Sequence, residues 1–164
     1  MAPPDAEVRN KAPVCPSAQP DWKGSVALGV IEGTAEKPRM AHFADALPVS
    51  DDLLRLSGPV TPGEVFRFAA PCLQGRCAHF RNSRCNLVTQ IVSVLPAVTE
   101  ALPQCAIRAQ CRWWRQEGKQ ACMRCEQVVT DNYSPSPEMR IAARPAGYIP
   151  AQVENGVTLR REPT

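Results

Sequence analysis

The chain has 164 residues, with eight cysteines, 17 prolines, 44% hydrophobic, 21% charged and 5% aromatic residues, and a net charge of +3. That length suits one modest domain able to bury a core without staples, which disfavours a disulfide-dense miniprotein. No run of 18 apolar residues occurs and Met1–Pro20 holds no apolar segment of the secretory kind, so neither a membrane helix nor a signal sequence is expected. The setting expected is a reducing cytoplasm with no membrane partner, where grouped cysteines point to metal or redox chemistry rather than to disulfides.

Residues 1–21 read as a disordered arm, because Pro3, Pro4, Pro13, Pro16 and Pro20 leave little that packs. Cys15 lies in this arm and reads as an exposed, unremarkable thiol whose replacement is silent. Ser25–Ile31 is a short apolar run with β-branched residues, the loop Glu32–Pro38 follows, and Arg39–Leu47 reads as the return strand of a hairpin. Ser50, Asp51 and Asp52 start a short helix that Gly58 ends, and Thr61-Pro-Gly-Glu64 has the form of a capping box. Periodicity does not decide whether Val65–Phe68 is a helical turn or a strand.

Asn86–Leu102 carries the strongest helical pattern, with Leu87, Ile91, Val94, Leu95, Val98 and Leu102 on one face. Pro96 lies inside it, so a kink or break is expected there. Ala106–Glu117 is helix-compatible and stops at Gly118, and Lys119–Val128 forms another short helix. Residues 133–164 read as a proline-rich tail with a packed segment around Ile141–Ile149. The elements together predict an α+β fold, with a small N-terminal β-hairpin packed on a mainly helical, cysteine-rich half and with disordered termini. Residues 22–132 form the single metal-binding domain.

The charge is unevenly spread. Between Arg67 and Cys125 stand nine basic and two acidic residues, a local +7 against −4 elsewhere, and the same stretch holds seven of the eight cysteines. These seven form two groups, Cys72-x4-Cys77-x7-Cys85 and Cys105-x5-Cys111-x10-Cys122-x2-Cys125. Thiolates are soft anionic donors, and four of them complete either a tetrahedral zinc site or a cubane of four irons and four sulfides. The second group is a complete set, so Cys105, Cys111, Cys122 and Cys125 are the preferred ligands. Cys72, Cys77 and Cys85 are alternative or second-site ligands. Only Cys122-Met-Arg-Cys125 has the knuckle spacing common in zinc sites, and His79 is a lone histidine between cysteines. The irregular remainder favours a [4Fe-4S] cluster, with zinc as the alternative. Arg76, Arg84, Arg112 and Arg124 each adjoin a cysteine in sequence and are expected to compensate thiolate charge and donate to sulfur.

Other chemistry is thinly represented. His42 and His79 are the only histidines, the zinc deaminase pattern is absent, and so is the Cys-x3-Cys-x2-Cys triplet of radical enzymes. Catalysis is therefore not expected. Two further readings stand beside the cluster. Arg112, Trp113, Arg115 and Lys119 suit a basic aromatic platform that stacks a base and contacts phosphate, as a zinc-stabilised nucleic-acid or protein-interaction module would. Cys122 and Cys125 suit a thiol redox enzyme if the first stands at a helix start after a strand. The leading expectation is a small iron–sulfur protein in electron transfer or redox sensing, or an accessory to a larger protein or redox partner.

Overall fold

The computed structural model describes residues 11–148 and the backbone of 153–154 and 157–158. The fold is α+β. Strands β1 (Val14–Ala18), β2 (Val26–Gly33), β3 (Pro38–Pro48) and β4 (Phe66–Pro71) form one antiparallel sheet in the order β1-β4-β2-β3. The expected hairpin is β2 and β3. Its register slips between Ala27 and Gly29 against both neighbouring strands. A β-carbon at Gly29 would lie 2.3 Å from the Ala41 carbonyl oxygen, so only glycine permits this approach of the strands.

Between β3 and β4 lie α1 (Asp51–Arg55) and α2 (Pro62–Val65). The Ser50 hydroxyl caps α1 by accepting from the Leu53 N–H at 3.1 Å, and Gly58 follows it at φ +62°. The Glu64 carboxylate accepts from the Thr61 N–H and hydroxyl at 2.8 and 2.6 Å. The aromatic run that periodicity left open becomes β4, because it is inserted between β1 and β2 and covered on both faces, with every residue from Phe66 to Ala70 buried. Phe66 and Phe68 pack beside Ala27, Leu53 and Leu54, while Ala69 joins the main core.

The helical half begins with a two-residue hairpin, β5 (Phe80–Arg81) and β6 (Arg84–Cys85), whose turn residues Asn82 and Ser83 have φ of 52° and 60°. Positive φ at both positions matches the turn to the twist of its strands. Then follow α3 (Asn86–Val94), α4 (Arg112–Glu117), α5 (Lys119–Cys125) and α6 (Pro137–Ala142), with 3-10 turns at Gln74–Arg76 and Arg108–Gln110. Leu28, Met40 and Ala69 of the sheet meet Val88, Ile91, Leu95, Trp113 and Ala121 in the main core. No described helix is long and apolar enough to cross a membrane.

Three expectations need correction. The helix over Asn86–Leu102 ends at Val94, because the residue before Pro96 is driven to extended backbone, and Leu95 has ψ 142°. Val98 instead bonds through its N–H to the Met123 carbonyl at 2.8 Å, and Leu102 is exposed. The arm over 1–21 contains β1, since proline is tolerated in an edge strand and Pro16 there is fully buried. The tail over 133–164 contains α6, with Pro137 in its first turn, the Ser136 cap and a fully buried Ala142. The part of the tail expected to pack at Ile149 lies outside the described residues.

Candidate metal centre

Cys105 lies in the coil before the second 3-10 turn, and Cys111 joins that turn to α4. Cys122 and Cys125 stand one turn apart on α5, hence on one face of it. Gly118, at φ +64°, breaks the chain between α4 and α5, so that α5 folds back and its cysteine face meets Cys105 and Cys111. All four line one small cavity of about 20 Å³, together with His42, Arg108 and Trp113. The four cysteines set together in the sequence thus share one cavity.

The charge around these thiols is the most informative feature. Arg67 of β4 is wholly buried, and its side chain makes five donations. Nε and Nη2 reach the Pro16 carbonyl at 3.0 and 2.8 Å, and Nη1 reaches the Cys125 and Val128 carbonyls at 2.8 and 2.7 Å. Nη2 also donates to Cys125 Sγ at 3.2 Å. Among the described residues no carboxylate pairs with it. A buried guanidinium without a counter-ion is strongly unfavourable, so the site is built to receive negative charge. Arg108 adds a second cation. It favours the Cys122 thiolate and donates to the Pro103 carbonyl, its Nε is buried without a partner, and its guanidinium lies 5.8 Å from the Trp114 ring centroid.

Burial raises the thiol pKa of Cys105, Cys111 and Cys122, and the charge of neighbouring thiols raises each further. Arg67 and Arg108 oppose this at Cys105, and Arg108 does so at Cys122. Backbone N–H groups of Ile107 favour the Cys105 thiolate, and those of Trp113 and Trp114 favour that of Cys111. Cys105, Cys111 and Cys122 are thereby held towards the neutral thiol, and binding of a cation would favour their anions.

The arginines beside cysteines in sequence behave differently from expectation. Arg84 pairs with Glu117 at 3.2 Å, and Arg124 donates to the Leu95 carbonyl and to Gln120. Arg112 adjoins Cys111 in sequence yet lines the cavity of about 380 Å³, whereas the exposed Arg76 lines that same cavity with its neighbour Cys77. Successive side chains of a helix or strand point in different directions, so adjacency in sequence did not turn Arg84, Arg112 and Arg124 to the sulfur beside them. Arg67 and Arg108, which do face the thiols, carry no sequence signal beyond their share in the basic stretch.

The second group of cysteines is drawn together as well, with an addition. Cys72, Cys77 and Cys85 line a cavity of about 380 Å³, and the fourth cysteine lining it is Cys15 of β1. This corrects the reading of Cys15 as an exposed bystander. Val14 and Pro16 turn to the main core and the smaller cavity, whereas Cys15 and Ser17 turn to the larger one, as strand alternation requires. Burial pushes the Cys15 thiol up to about 12. Trp113, 1% exposed, lines both cavities. That burial removes Trp113 from the proposed nucleic-acid platform, since no base can stack on it. Of the other platform residues, Arg115 donates to the Lys11 and Ala109 carbonyls and Lys119 is exposed. The thiol-redox reading loses its premise too, because α5 follows α4 and Gly118 rather than a strand.

Among the described residues no group of three or more cysteine, histidine or acidic side chains meets closely enough to hold a single metal ion. The thiols of each group therefore line a space rather than meet at a point. Set against known protein families, curated proteins and solved structures, the chain matches none.

Proposed function

We propose that the chain carries a [4Fe-4S] cluster on Cys105, Cys111, Cys122 and Cys125, and serves a larger redox protein as a non-catalytic electron carrier or redox sensor. The observation that carries this reading is the buried Arg67, which has no carboxylate partner among the described residues and donates to Cys125 Sγ at 3.2 Å. Four thiolates around iron supply the missing anion, and hydrogen bonds to sulfur are the means by which a protein sets a cluster's potential. A bound cluster supplies one-electron chemistry. The residues themselves would hold it, balance its charge through Arg67 and Arg108, and exclude water through the buried Leu28, Met40 and Trp113 that line the cavity.

Zinc on the same four residues is the second reading, favoured by the narrow cavity of about 20 Å³, which is close to the volume of one water-sized probe. Against it, four sulfurs on one zinc lie roughly 3.8 Å apart, as follows from a Zn–S bond of about 2.3 Å, and the described thiols do not converge on one ion. Purification without oxygen decides between the two. A brown protein containing iron and acid-labile sulfide, which loses about four irons per chain on replacing Cys122 and Cys125 by alanine, supports the cluster. A colourless protein with stoichiometric zinc at those residues refutes it.

A further inference from the structure

We infer that Cys15, Cys72, Cys77 and Cys85 form a second four-thiol centre that also takes an iron–sulfur cluster, so that the chain is a two-centre protein. The assignment of the metal class rests on the same thiolate chemistry as the first centre, but the four cysteines are different and line a second cavity.

The geometry of β1 and β4 makes the fourth ligand. Cys15 stands opposite Ala70 in the antiparallel pair, and the Cys72 N–H donates to the Pro13 carbonyl at 2.9 Å just beyond the end of the ladder. Paired residues share a face, and residues two apart along a strand share it too. Cys15 and Cys72 are therefore carried to the same side. Cys77 follows the 3-10 turn over Gln74–Arg76, with its N–H on the Gln74 carbonyl at 2.8 Å. The two-residue hairpin then returns Cys85 opposite Phe80, at the start of α3. Three different elements and a turn thus deliver four thiols to one cavity.

The cavity is too large for a lone ion. Its volume of about 380 Å³ falls within the range of sites that hold small prosthetic groups. The polar groups around it suit an anionic occupant. Arg112 lies 5.2 Å from the Phe80 ring centroid, its Nε is buried without a partner, and no carboxylate pairs with it among the described residues. The Nδ1 of His79 is buried without a partner as well. The Gln74 N–H donates to Cys72 Sγ at 3.4 Å, and the N–H groups of Ser17, Leu87 and Val88 favour the thiolates of Cys15 and Cys85. The second site thus repeats the design of the first: four thiols, an arginine without a carboxylate, and backbone N–H groups on sulfur.

Counting iron and acid-labile sulfide in the full chain tests this. Two cubanes require about eight of each per chain, and one requires about four. Replacing Cys15 and Cys72 by alanine is expected to leave about four, with the spectrum of the first centre intact. Replacing Cys122 and Cys125 is expected to leave the other four. A wild-type chain with about four irons, all lost in the Cys122/Cys125 variant, overturns the second centre and spares the first. About four irons lost only in the Cys15/Cys72 variant overturns the function proposed for Cys105–Cys125 and supports the second centre. Zinc in place of iron, or no metal, overturns the inference. Should a variant fail to fold, as its circular dichroism would show, the wild-type count decides alone.

Discussion

Replacing Arg67 by methionine removes the wholly buried cation that donates to Cys125 Sγ while keeping most of the side-chain volume. Five donations disappear, leaving the carbonyls of Pro16, Cys125 and Val128 without that partner. The Cys125 carbonyl keeps the Val128 N–H at 3.1 Å, whereas a buried acceptor left with no donor costs about 1–3 kcal/mol, and relief from burying the guanidinium offsets part of that cost. A net loss of about 3–5 kcal/mol is expected, as for other buried charges whose anionic partner is kept. The electrostatic consequence is separate. At 3.2 Å from Cys125 Sγ, a unit charge acts on a unit charge with about 5 kcal/mol at an effective dielectric constant of about 20. An added electron is spread over the whole centre, so roughly half of that applies. With one electron and about 59 mV for each 1.4 kcal/mol, the reduction potential falls by about 100 mV. Redox titration followed by loss of visible absorbance measures the shift, and iron analysis measures retention. Arg67→Lys keeps the charge but loses the fork, so it should lose stability yet shift the potential much less. An Arg67→Met protein with unchanged metal content and a potential within about 20 mV of wild type would show that the guanidinium does not compensate thiolates.

Trp113→Ala should destabilise the chain by about 3–5 kcal/mol in urea titrations, because the ring is almost wholly buried between the two cavities. The same variant should leave binding to single-stranded nucleic acid unchanged, and a loss of such binding without loss of stability would restore the platform reading. Ser83→Gly should stabilise the protein by up to about 1 kcal/mol, read as a rise in melting temperature, since Ser83 holds φ 60° in the turn that delivers Cys85. The metal-free chain should weaken as pH rises. Cys15 is neutral in the fold up to about 12, against 9.0 in the unfolded chain, so its contribution is complete below pH 9 and is lost as pH climbs from 9 towards 12. That amounts to about 1.4 kcal/mol per pH unit in this window, seen as a falling denaturation midpoint. A flat profile between pH 8.5 and about 11 would contradict the burial of this thiol.

Local signals carried much of the fold. The β2–β3 hairpin, the capped α1, the stop at Gly118 and the breaking effect of Pro96 all depend on residues close in sequence, and each is visible there. So is the grouping of Cys105, Cys111, Cys122 and Cys125, because four thiols set this near one another along the chain make a full donor set without help from a distant element. Spacing does not determine which cations face the sulfurs. Arg84 and Arg124 adjoin cysteines yet spend their donors on Glu117, Gln120 and the Leu95 carbonyl. Arg67, 58 residues from Cys125, reaches it because β4 runs through the centre of the sheet and the long side chain extends to the end of α5.

Cys15 separates the two kinds of information most sharply. In sequence it is a solitary thiol in a proline-rich stretch, 57 positions from Cys72, and nothing local distinguishes it from an exposed bystander. Antiparallel pairing with β4 closes that distance, and strand alternation turns its side chain into the larger cavity rather than the smaller one. Composition alone established that the chain is rich in thiols and locally basic. The sheet decided that eight thiols divide four and four, because long-range strand pairing brings together residues that no pattern along the chain connects.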